Sequence, residues 1–586
     1  MRTRLAALLT VLTTVAALAG TASTPVGAQA VTDQPFGGYG SGATLSVNVL
    51  GLLNTQVLNL QAASAGQSTN SEGLPAGGLV NELGYAIQPP GISDRNAYGR
   101  GTGLEVGVLT PDPNTNTNQI LLAGLAQQAA PPIEPNIAEE QIGPITIGSL
   151  AYANLLRGRA RALFDPDICV IGKPFSFGEG EASGLQVIGT PGAGGVLQSP
   201  VVGAGLPVNS DDPRNVSRTR SVTYLRPNGD GTFAVVSETR QTIAPVSLLG
   251  GTVTLELLGE WALRAIATGK SDGSSRVEYA PVGAGPTTNV ATLTIGATVV
   301  NITTQQLFGP GGLDLGAALG PLSAVLDITV GTPARALGGT GAPQIAGDGT
   351  SVSAAVDVAS VGVLQIPNVL NAVDLRVGHM EAAAVAPPGG VRCNLPVDKI
   401  GTPDPVTAGQ DFTITIRIPS DTATFEQLFG CDLIGIRVED VHEIESGNPS
   451  FRLNSASNGG VISADGRTVT WANIGDYNIG DPPIELTING TIPGNSGAGV
   501  LKDTATVTAT LGGCDGTVAG QDIVGQGVSG GAVTGTFTLI GPDVSRSGVL
   551  AATGGDERLL VVGGVFLLGA LAVRRRMRKP AAATTS

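Results

Sequence analysis

The fold class is decided by the stretch Phe412-Thr413-Ile414-Thr415-Ile416-Arg417-Ile418, in which apolar and polar side chains alternate. Alternation with a period of two is the pattern of a β-strand with one buried and one solvated face. The pattern recurs in Ile484–Ile488 and Ala505–Ala509, and Val461–Trp471 has the pattern of a hairpin around an Asp-Gly turn. Several short alternating strands within about 150 residues predict an antiparallel β-sandwich over residues 391–540.

The whole chain has the composition of a β protein. Its 586 residues include 86 glycines and 38 prolines, and 42% are hydrophobic but only 4% aromatic, which favours short strands joined by many turns. Strand patterns occur at Thr252–Leu257 and Val373–His379, and Asn228–Gly231 lies between two apolar runs as a hairpin turn does. The sequence Ala386–Gly390 interrupts any element. We therefore expect a mainly β chain, with a large β-rich domain over residues 31–390 followed by the sandwich.

The chain is acidic, with 32 Lys and Arg residues against 47 Asp and Glu residues and a net charge of −15. Without residues 1–30 and 554–586, 24 basic and 45 acidic residues remain, so the net charge becomes −21. No basic patch stands out, which argues against nucleic-acid binding. An acidic surface suits a soluble exported protein and does not identify a partner.

Three segments follow one another at the C-terminus: the pentapeptide Leu550-Ala551-Ala552-Thr553-Gly554, the apolar run Leu559–Val573, and the cluster Arg574-Arg575-Arg576. As a helix, the apolar run spans roughly 22 Å, which is short for a hydrocarbon core of about 30 Å. The basic cluster favours the cytoplasmic side of a membrane. This order resembles the cell-wall sorting signal of Gram-positive bacteria. It has the LAxTG form found in high-GC actinobacteria, with Ala551 where the commonest form has proline.

The resemblance implies that a sortase cuts between Thr553 and Gly554 and joins Thr553 covalently to peptidoglycan. The sorting helix within residues 550–586 would insert only transiently in the membrane, and residues 541–549 would be a linker. The alternative is an ordinary single-pass membrane anchor, and the class of sortase stays open.

The N-terminus carries the features of a secretory signal peptide over residues 1–30. Arg2 and Arg4 precede the apolar stretch Leu5–Leu18, and Ala28-Gln29-Ala30 offers a cleavage site with small residues at Ala28 and Ala30. We expect a secreted mature chain that begins at Val31.

Two regions resemble families of bacterial surface proteins. The region from Lys399 to Leu511 resembles the DUF11-type immunoglobulin-like modules, on Gly409-Gln410-Asp411-Phe412-Thr413, Gly466-Arg467-Thr468-Val469-Thr470-Trp471 and Asp503-Thr504-Ala505-Thr506-Val507. That module usually has Asn at the position of Asp503. The region 35–390 resembles the choice-of-anchor G proteins of actinobacteria, on Cys169-Val170-Ile171-Gly172-Lys173-Pro174 and Gly178-Glu179-Gly180-Glu181-Ala182. The resemblances imply an immunoglobulin-like sandwich and a wall-anchored protein, but no activity.

Four cysteines, an even number in an exported chain, suggest disulfides. We favour Cys431–Cys514, because both lie inside the predicted sandwich, which leaves Cys169–Cys393 for the large domain. The other pairings and free thiols are the alternatives. A zinc site is not expected, since there is no CxxC motif and the chain has only two histidines.

The lysines suggest a covalent link in addition to the disulfides. The mature chain has four lysines. Lys399 lies at the start of the first strand of the sandwich, and Asp503 lies at the start of its last strand. Related surface domains join such strands through an isopeptide bond, a reaction that needs a dry pocket and an assisting acid. Glu485 on an intervening strand is the expected assistant. The alternative is that Lys399 and Asp503 are both exposed.

Catalytic motifs are absent beyond chance matches. Gly269–Gly273 and Gly527–Gly531 fit GxSxG formally, but neither lies between a strand and a helix as a nucleophile elbow requires. We expect no enzyme activity, no cofactor and no metal. The sequence favours a wall-anchored surface protein that acts by display, as an adhesin or a cell-envelope component, towards a ligand that stays open. The alternative is a wall-anchored hydrolase of glycans or peptides, which would need clustered carboxylates and aromatic platforms.

Overall fold

The protein is mainly β, as the sequence predicts. The computed structural model describes residues 35–50, 56–107, 119–134, 136–166, 168–206, 213–307, 312–366, 370–393, 395–514, 527–529 and 533–540. Its sheets are antiparallel except for one short parallel pair, and the strands and hairpins predicted from alternation are present. For example, the stretch around Ile414 forms a strand from Asp411 to Ile418.

The large domain contains strands β1 to β28 among the described residues. In chain order they are β1 (Gly37–Leu50), β2 (Gln56–Asn70), β3 (Leu79–Val80), β4 (Ala86–Gln88), β5 (Ala97–Gly107), β6 (Gln119–Ala130), β7 (Ala138–Ile142), β8 (Ile145–Ile147), β9 (Ala151–Ala153), β10 (Leu155–Ala162), β11 (Ser176–Ser183), β12 (Leu185–Val187), β13 (Thr190–Pro191), β14 (Leu197–Gln198), β15 (Val202–Ala204), β16 (Val216–Pro227), β17 (Phe233–Thr242), β18 (Val246–Leu248), β19 (Val253–Leu257), β20 (Glu260–Ala267), β21 (Arg276–Pro281), β22 (Asn289–Ile295), β23 (Thr298–Thr303), β24 (Leu313–Asp314), β25 (Leu326–Val330), β26 (Gln344–Ile345), β27 (Ser351–Ile366) and β28 (Leu370–Val385). Helical turns are short: α1 (Thr304–Leu307), α2 (Gly316–Leu319), and 3₁₀ turns at Ala193–Gly195, Pro213–Asn215, Leu249–Gly251 and Gly320–Ala324.

These strands form three large sheets. Sheet 1 has the order β24-β25-β27-β28-β1-β2-β5-β6, with β26 added on β27. Sheet 2 has the order β21-β20-β17-β16-β11-β10-β7, and sheet 3 has the order β23-β22-β19-β18-β15-β12-β9-β8. Several strands of sheet 2 continue directly into sheet 3, since only Asn154 separates β9 from β10 and only Gly184 separates β11 from β12. Two short hairpins, β3-β4 and β13-β14, lie outside these sheets.

Glycines let sheets 1 and 2 approach closely. A Cβ atom built on Gly101 of β5 would lie 1.9 Å from the carbonyl oxygen of Glu179 on β11. A Cβ atom on Gly178 of β11 would lie 2.1 Å from the carbonyl oxygen of Arg100. Real side chains do not come this close, so this face requires residues without a Cβ. The glycine-rich texture of Gly178 to Gly180 thus has a packing reason.

The sandwich contains strands β29 to β39 and one helix, α3 (Thr422–Leu428). The strands are β29 (Asp398–Thr402), β30 (Val406–Thr407), β31 (Asp411–Ile418), β32 (Asp432–Gly447), β33 (Arg452–Ala456), β34 (Val461–Ile462), β35 (Thr468–Trp471), β36 (Ile484–Thr491), β37 (Gly499–Gly512), β38 (Gly527–Ser529) and β39 (Val533–Ile540). Sheet 4 has the order β29-β31-β36-β33, and sheet 5 has the order β30-β39-β37-β32-β35-β34 with β38 on β37. All pairings in sheets 4 and 5 are antiparallel except that of β30 with β39.

The disulfides join Cys431 to Cys514 and Cys169 to Cys393, which is the pairing favoured from the sequence. The first closes a loop within the sandwich. The second ties the middle of the large domain to the segment that precedes the sandwich. In the chain-entropy model, loops with separations of 83 and 224 residues correspond to stabilisation of about 4.5 and 5.4 kcal/mol.

Noncovalent contacts join the two domains beside these disulfides. Ile171 forms an isolated parallel bridge with Phe429, and its carbonyl accepts a hydrogen bond from the N–H of Gly430 at 2.8 Å. The ammonium group of Lys173 donates to the carbonyl oxygen of Glu426 at 2.6 Å, at the C-terminal end of α3. A cation at this end of a helix complements the partial negative charge of its free carbonyls. Most buried apolar side chains of the two domains form one contiguous core, and a smaller cluster around Phe177 and Val236 lies apart from it in the large domain.

The predicted signal peptide, linker and sorting signal lie outside the described residues. Ala28, Ala30 and the pentapeptide from Leu550 to Gly554 therefore stay predictions, as does membrane insertion of Leu559–Val573. Within the described part of the chain, none of the helices has the length and apolar character needed to span a membrane.

We predict that Gly101→Ala destabilises the large domain. In an ordinary strand interior this change stabilises, because alanine loses less backbone entropy than glycine on folding. Here the added methyl group would collide with the backbone of β11, and overpacking of this kind costs about 1–3 kcal/mol. Urea unfolding would measure the difference.

The matched control for this prediction is Gly143→Ala. Gly143 is exposed and an added Cβ would meet nothing within 4 Å, so its free energy of unfolding should stay near the wild-type value. Equal stability of Gly101→Ala and wild type would show that the sheets do not pack as closely as described.

Candidate functional site

The side chain of Lys399 is enclosed in the interior of the sandwich. Lys399 lies on β29 opposite Ile416 of β31, whose side chain is also buried. Its own side chain is 0% exposed. A lysine this deep is found only with compensating partners, because an isolated ammonium group is strongly unfavourable away from water.

The partners of Lys399 come from the facing sheet. Asp440 and His442 lie on β32 and alternate with the exposed Glu439 and Glu443, so they point inward. Asp503 lies on β37 directly opposite His442. The alternation of β32 and the pairing of β32 with β37 therefore place two carboxylates and an imidazole on one patch of the inner face, and all three are 0% exposed.

The amine contacts both carboxylates. Nζ of Lys399 donates a short hydrogen bond to Oδ1 of Asp440. It also lies 2.8 Å from Oδ2 of Asp503, but the two groups are not aligned for a hydrogen bond. Nε2 of His442 is 3.3 Å from Oδ2 of Asp440, and its Nδ1 is 3.9 Å from Oδ2 of Asp503. The Lys399 cluster is defined here as Lys399, Asp440, His442 and Asp503.

The two carboxyl groups of the cluster are shifted in opposite directions. Burial raises the pKa of Asp503, and the nearby charge of Lys399 does not fully offset it. Burial acts in the same direction on Asp440, but contact with His442 and the charge of Lys399 hold its pKa below the usual value. Because their pKa values are shifted in opposite directions, the two carboxyls take different roles. The ionised form is favoured for Asp440 and the protonated form for Asp503.

This arrangement corrects one sequence-based expectation. Lys399 and Asp503 do meet, and neither is exposed, but Glu485 is not the third member. Glu485 is 59% exposed and lies 3.9 Å from Arg417 on the outer face of sheet 4. The reason is the alternation of β36, in which Leu486 and Ile488 point inward and Glu485 points outward.

Asp440 and His442 are not among the residues predicted from the sequence. A usable signal was present, because Val438, Asp440 and His442 occupy the same face of an alternating strand. A polar pair continuing the buried face of a strand is unusual and needs a partner. The partners lie on other strands, so no local pattern identifies them.

Asp440, His442 and Asp503 have the spacing of a metal-ligand set. The amine of Lys399 lies against both carboxylates, however, and a cation there would be repelled by an ammonium group at contact distance. The donor set fits an ammonium group or its reaction product better than a metal ion.

A second buried polar cluster lies in the large domain around His379 of β28. Its Nδ1 is 2.7 Å from Oδ1 of Asp357 and its Nε2 is 2.9 Å from Oε1 of Glu381. Arg335 lies 3.5 Å from Asp357 and also forms a two-pronged ion pair with Glu82. Burial opposes the charged imidazole, but hydrogen bonds to Asp357 and Glu381 outweigh it and raise the pKa of His379 to about 9.

Burial alone would raise the pKa of Asp357. The hydrogen bond and charge of His379, with the charges of Arg376 and Arg335, lower it to about 2. An imidazolium shared by two carboxylates accounts for both shifts. Glu82, His379 and Glu381 also have metal-ligand spacing, but Glu82 already accepts from Arg335 and from the backbone of Gly338. The cluster therefore fits a structural proton better than a metal ion.

A cavity of about 340 Å³ opens between the two domains. Its lining is Arg161, Leu163, Lys173, Ala423, Glu426 and Gln427. Among the described residues that line it, Glu426 supplies a carboxylate, and Arg161 and Lys173 supply cations.

No family model matches the chain, and no curated protein matches it. Solved structures with detectable similarity include the major pilin subunit BcpA of Bacillus cereus, 13% identical over 32% of this chain and 55% of that chain, with a TM-score of 0.15. The N-terminal domain of the Streptococcus gordonii adhesin Sgo0707 is 8% identical over 70% of this chain and 90% of that one, with a TM-score of 0.17. A membrane-anchored protein from Corynebacterium diphtheriae is 11% identical over 72% and 94%, with a TM-score of 0.15. Similarity at this level supports no inference about function.

We predict that His379 makes the stability of the protein fall between about pH 6.5 and pH 9. Its folded-state pKa is raised from 6.5 to about 9, so its stabilisation is complete below pH 6.5 and is lost as the pH rises through 9. A shift of this size corresponds to a free energy on the order of 3 kcal/mol. Thermal unfolding across this range would show the slope in the wild type and its loss in His379→Gln.

The control is Glu72→Gln. Glu72 is exposed and is not among the groups that shift the pKa of His379. This variant should keep the wild-type slope. If His379→Gln also keeps it, the imidazole is not held as a cation by Asp357 and Glu381.

Proposed function

We propose that this chain is an exported surface protein, displayed on the wall of a Gram-positive cell as an adhesin or envelope component, whose sandwich closes an amide bond between Lys399 and Asp503. The observation that carries the proposal is the fully buried amine of Lys399 at 2.8 Å from the carboxyl of Asp503, with Asp440 beside it. A covalent brace of this kind suits a domain through which a tethered protein is pulled.

The geometry provides what amide formation needs. The electrophile must be a neutral carboxyl group, because a carboxylate resists attack, and burial favours that form of Asp503. The nucleophile must lose protons, and Asp440 is the ionised acceptor in direct contact with Nζ. Nζ then bonds to Cγ of Asp503, one Cγ–O bond breaks, and the hydroxyl leaves as water. Enclosure by two sheets holds the groups together and excludes competing water.

Export is supported by features independent of the cluster. Both disulfides require an oxidising compartment to form and persist. The N-terminal signal pattern and the C-terminal sorting pattern agree with that compartment.

We predict that the mature chain, with its disulfides reduced, weighs about 18 Da less than its sequence, which is one water. Tryptic digestion should yield a branched peptide that joins the segments containing Lys399 and Asp503. Lys399→Arg should abolish the branch, since a guanidinium is a poor nucleophile and remains charged. Asp440→Asn should slow its formation, because the amide cannot accept the proton.

Two control variants separate the cluster from its surroundings. Lys502→Arg changes the residue next to Asp503, and Glu485→Ala removes the exposed carboxylate of β36; both should keep the branched peptide. An unmodified mass in the wild type would refute the cross-link.

We predict that release of the protein from intact cells requires muralytic digestion. Replacing Thr553 by Ala should move the protein to the membrane or the medium, because the resemblance to a sorting signal makes Thr553 the residue that is joined to peptidoglycan. Cell fractionation with antibody detection would measure this. Full extraction of the native protein by detergent alone would instead indicate an ordinary membrane anchor.

A further inference from the structure

Closing the bond between Lys399 and Asp503 removes the charge that balances Asp440. In the ion-paired state the ammonium group of Lys399 is the counter-charge of Asp440, which is 0% exposed. An amide nitrogen carries no charge. A buried carboxylate that loses its only cation is strongly unfavourable, so the finished cross-link needs a second way to neutralise Asp440.

The proton balance of the reaction also requires a group in the cluster that accepts a proton. An ammonium group and a carboxylic acid together give an amide, one water and one proton. Two protons leave Nζ: one joins the departing hydroxyl of Asp503, and the other must go to a group in the cluster. Bulk water is not in contact with these groups, because every member has a side chain that is 0% exposed.

His442 is placed to take this proton. Its Nε2 is 3.3 Å from Oδ2 of Asp440, and its Nδ1 is 3.9 Å from Oδ2 of Asp503. Among the described residues, neither ring nitrogen has an aligned hydrogen-bond partner, and Oδ2 of Asp440 has none either. A fully buried imidazole with two unpartnered nitrogens is rare, and this one faces the groups that react.

We propose that His442 holds the proton released by cross-linking and so replaces Lys399 as the counter-charge of Asp440. This inference rests on the proposed amide bond and adds a residue to it. His442 acts through Asp440, which passes the proton from Nζ to Nε2, so it is a positioning and proton-holding residue. The mature cluster is then an amide beside an imidazolium–carboxylate pair, and atoms and charge balance.

The groups around His442 are compatible with its holding the released proton. The charged groups that face it are Lys399 from β29, Asp440 from its own strand and Asp503 from β37. Its backbone N–H donates to the carbonyl of Arg467, and the ring of Phe451 packs 6.1 Å away between centroids. An imidazole that is already protonated cannot accept a further proton. Cross-linking should therefore slow as the pH falls.

The test follows the rate of branched-peptide formation in the full mature chain, quenched at set times after cell-free synthesis between pH 5.5 and 8.5. The wild-type rate should rise with pH. His442→Gln keeps a polar side chain but cannot hold the proton, and its rate should fall at least about tenfold and lose the pH dependence. His379→Gln makes the same change in the large domain and should keep the wild-type profile.

A second readout does not depend on the variant's folding. The chain has two histidines, so nitrogen-15 histidine spectra of the mature wild type resolve to two rings, and His379→Gln assigns them. The signal of His442 should be that of an imidazolium at pH 7. A neutral ring there would contradict the inference.

The outcomes separate the two proposals. A wild type that loses no water refutes the cross-link and, with it, the role of His442. A wild type that loses water while His442→Gln matches its rate and pH profile leaves the cross-link standing and refutes the role of His442.

Discussion

The sandwich depends on one contact: the amine of Lys399 held between the carboxyls of Asp440 and Asp503. Two sheets meet there through charged groups in an otherwise apolar interior. Such groups are tolerated only when they neutralise one another. The contact therefore fixes how sheet 4 sits on sheet 5, because any shift of β29 by one residue would carry the amine to the outer face.

The register of sheet 5 makes this contact possible. Pairing of His442 with Asp503 puts the polar side chains of β32 and β37 side by side on the inner face. A slip of either strand by one residue would replace Asp503 by Lys502 or Thr504 at that position. The same stretch of β37 is followed by Cys514, so the disulfide and the cluster brace the strand at both ends. The junction at Ile171 and Lys173 then joins the braced sandwich to the large domain.

Much of the fold could be predicted from the sequence, because alternation is a local property. The strands around Ile414, Ile488 and Val507 were expected from two-residue periodicity alone. The Cys431–Cys514 disulfide was expected because both cysteines lie inside the sandwich, and that choice left Cys169 to pair with Cys393. Lys399 and Asp503 were matched by their places at the ends of the sandwich.

The rest depended on pairings between distant strands. Alternation shows which residues share a face but not which face of which sheet they meet, so Glu485 was chosen where Asp440 stands. The close approach of sheets 1 and 2 was hidden for the same reason, since Gly101 and Gly178 lie on strands whose contact no local pattern reveals. The imidazolium of His379 needed Asp357, which lies on the neighbouring strand β27.

We propose that the sandwich is covalently closed between Lys399 and Asp503. Single-molecule pulling on the mature chain from its two ends, with the disulfides reduced, tests it most directly. If the bond is closed, the segment between Lys399 and Asp503 cannot be stretched. The fully extended wild type should therefore be shorter than Lys399→Arg by roughly 350 Å. Equal extension of the two chains would contradict the account.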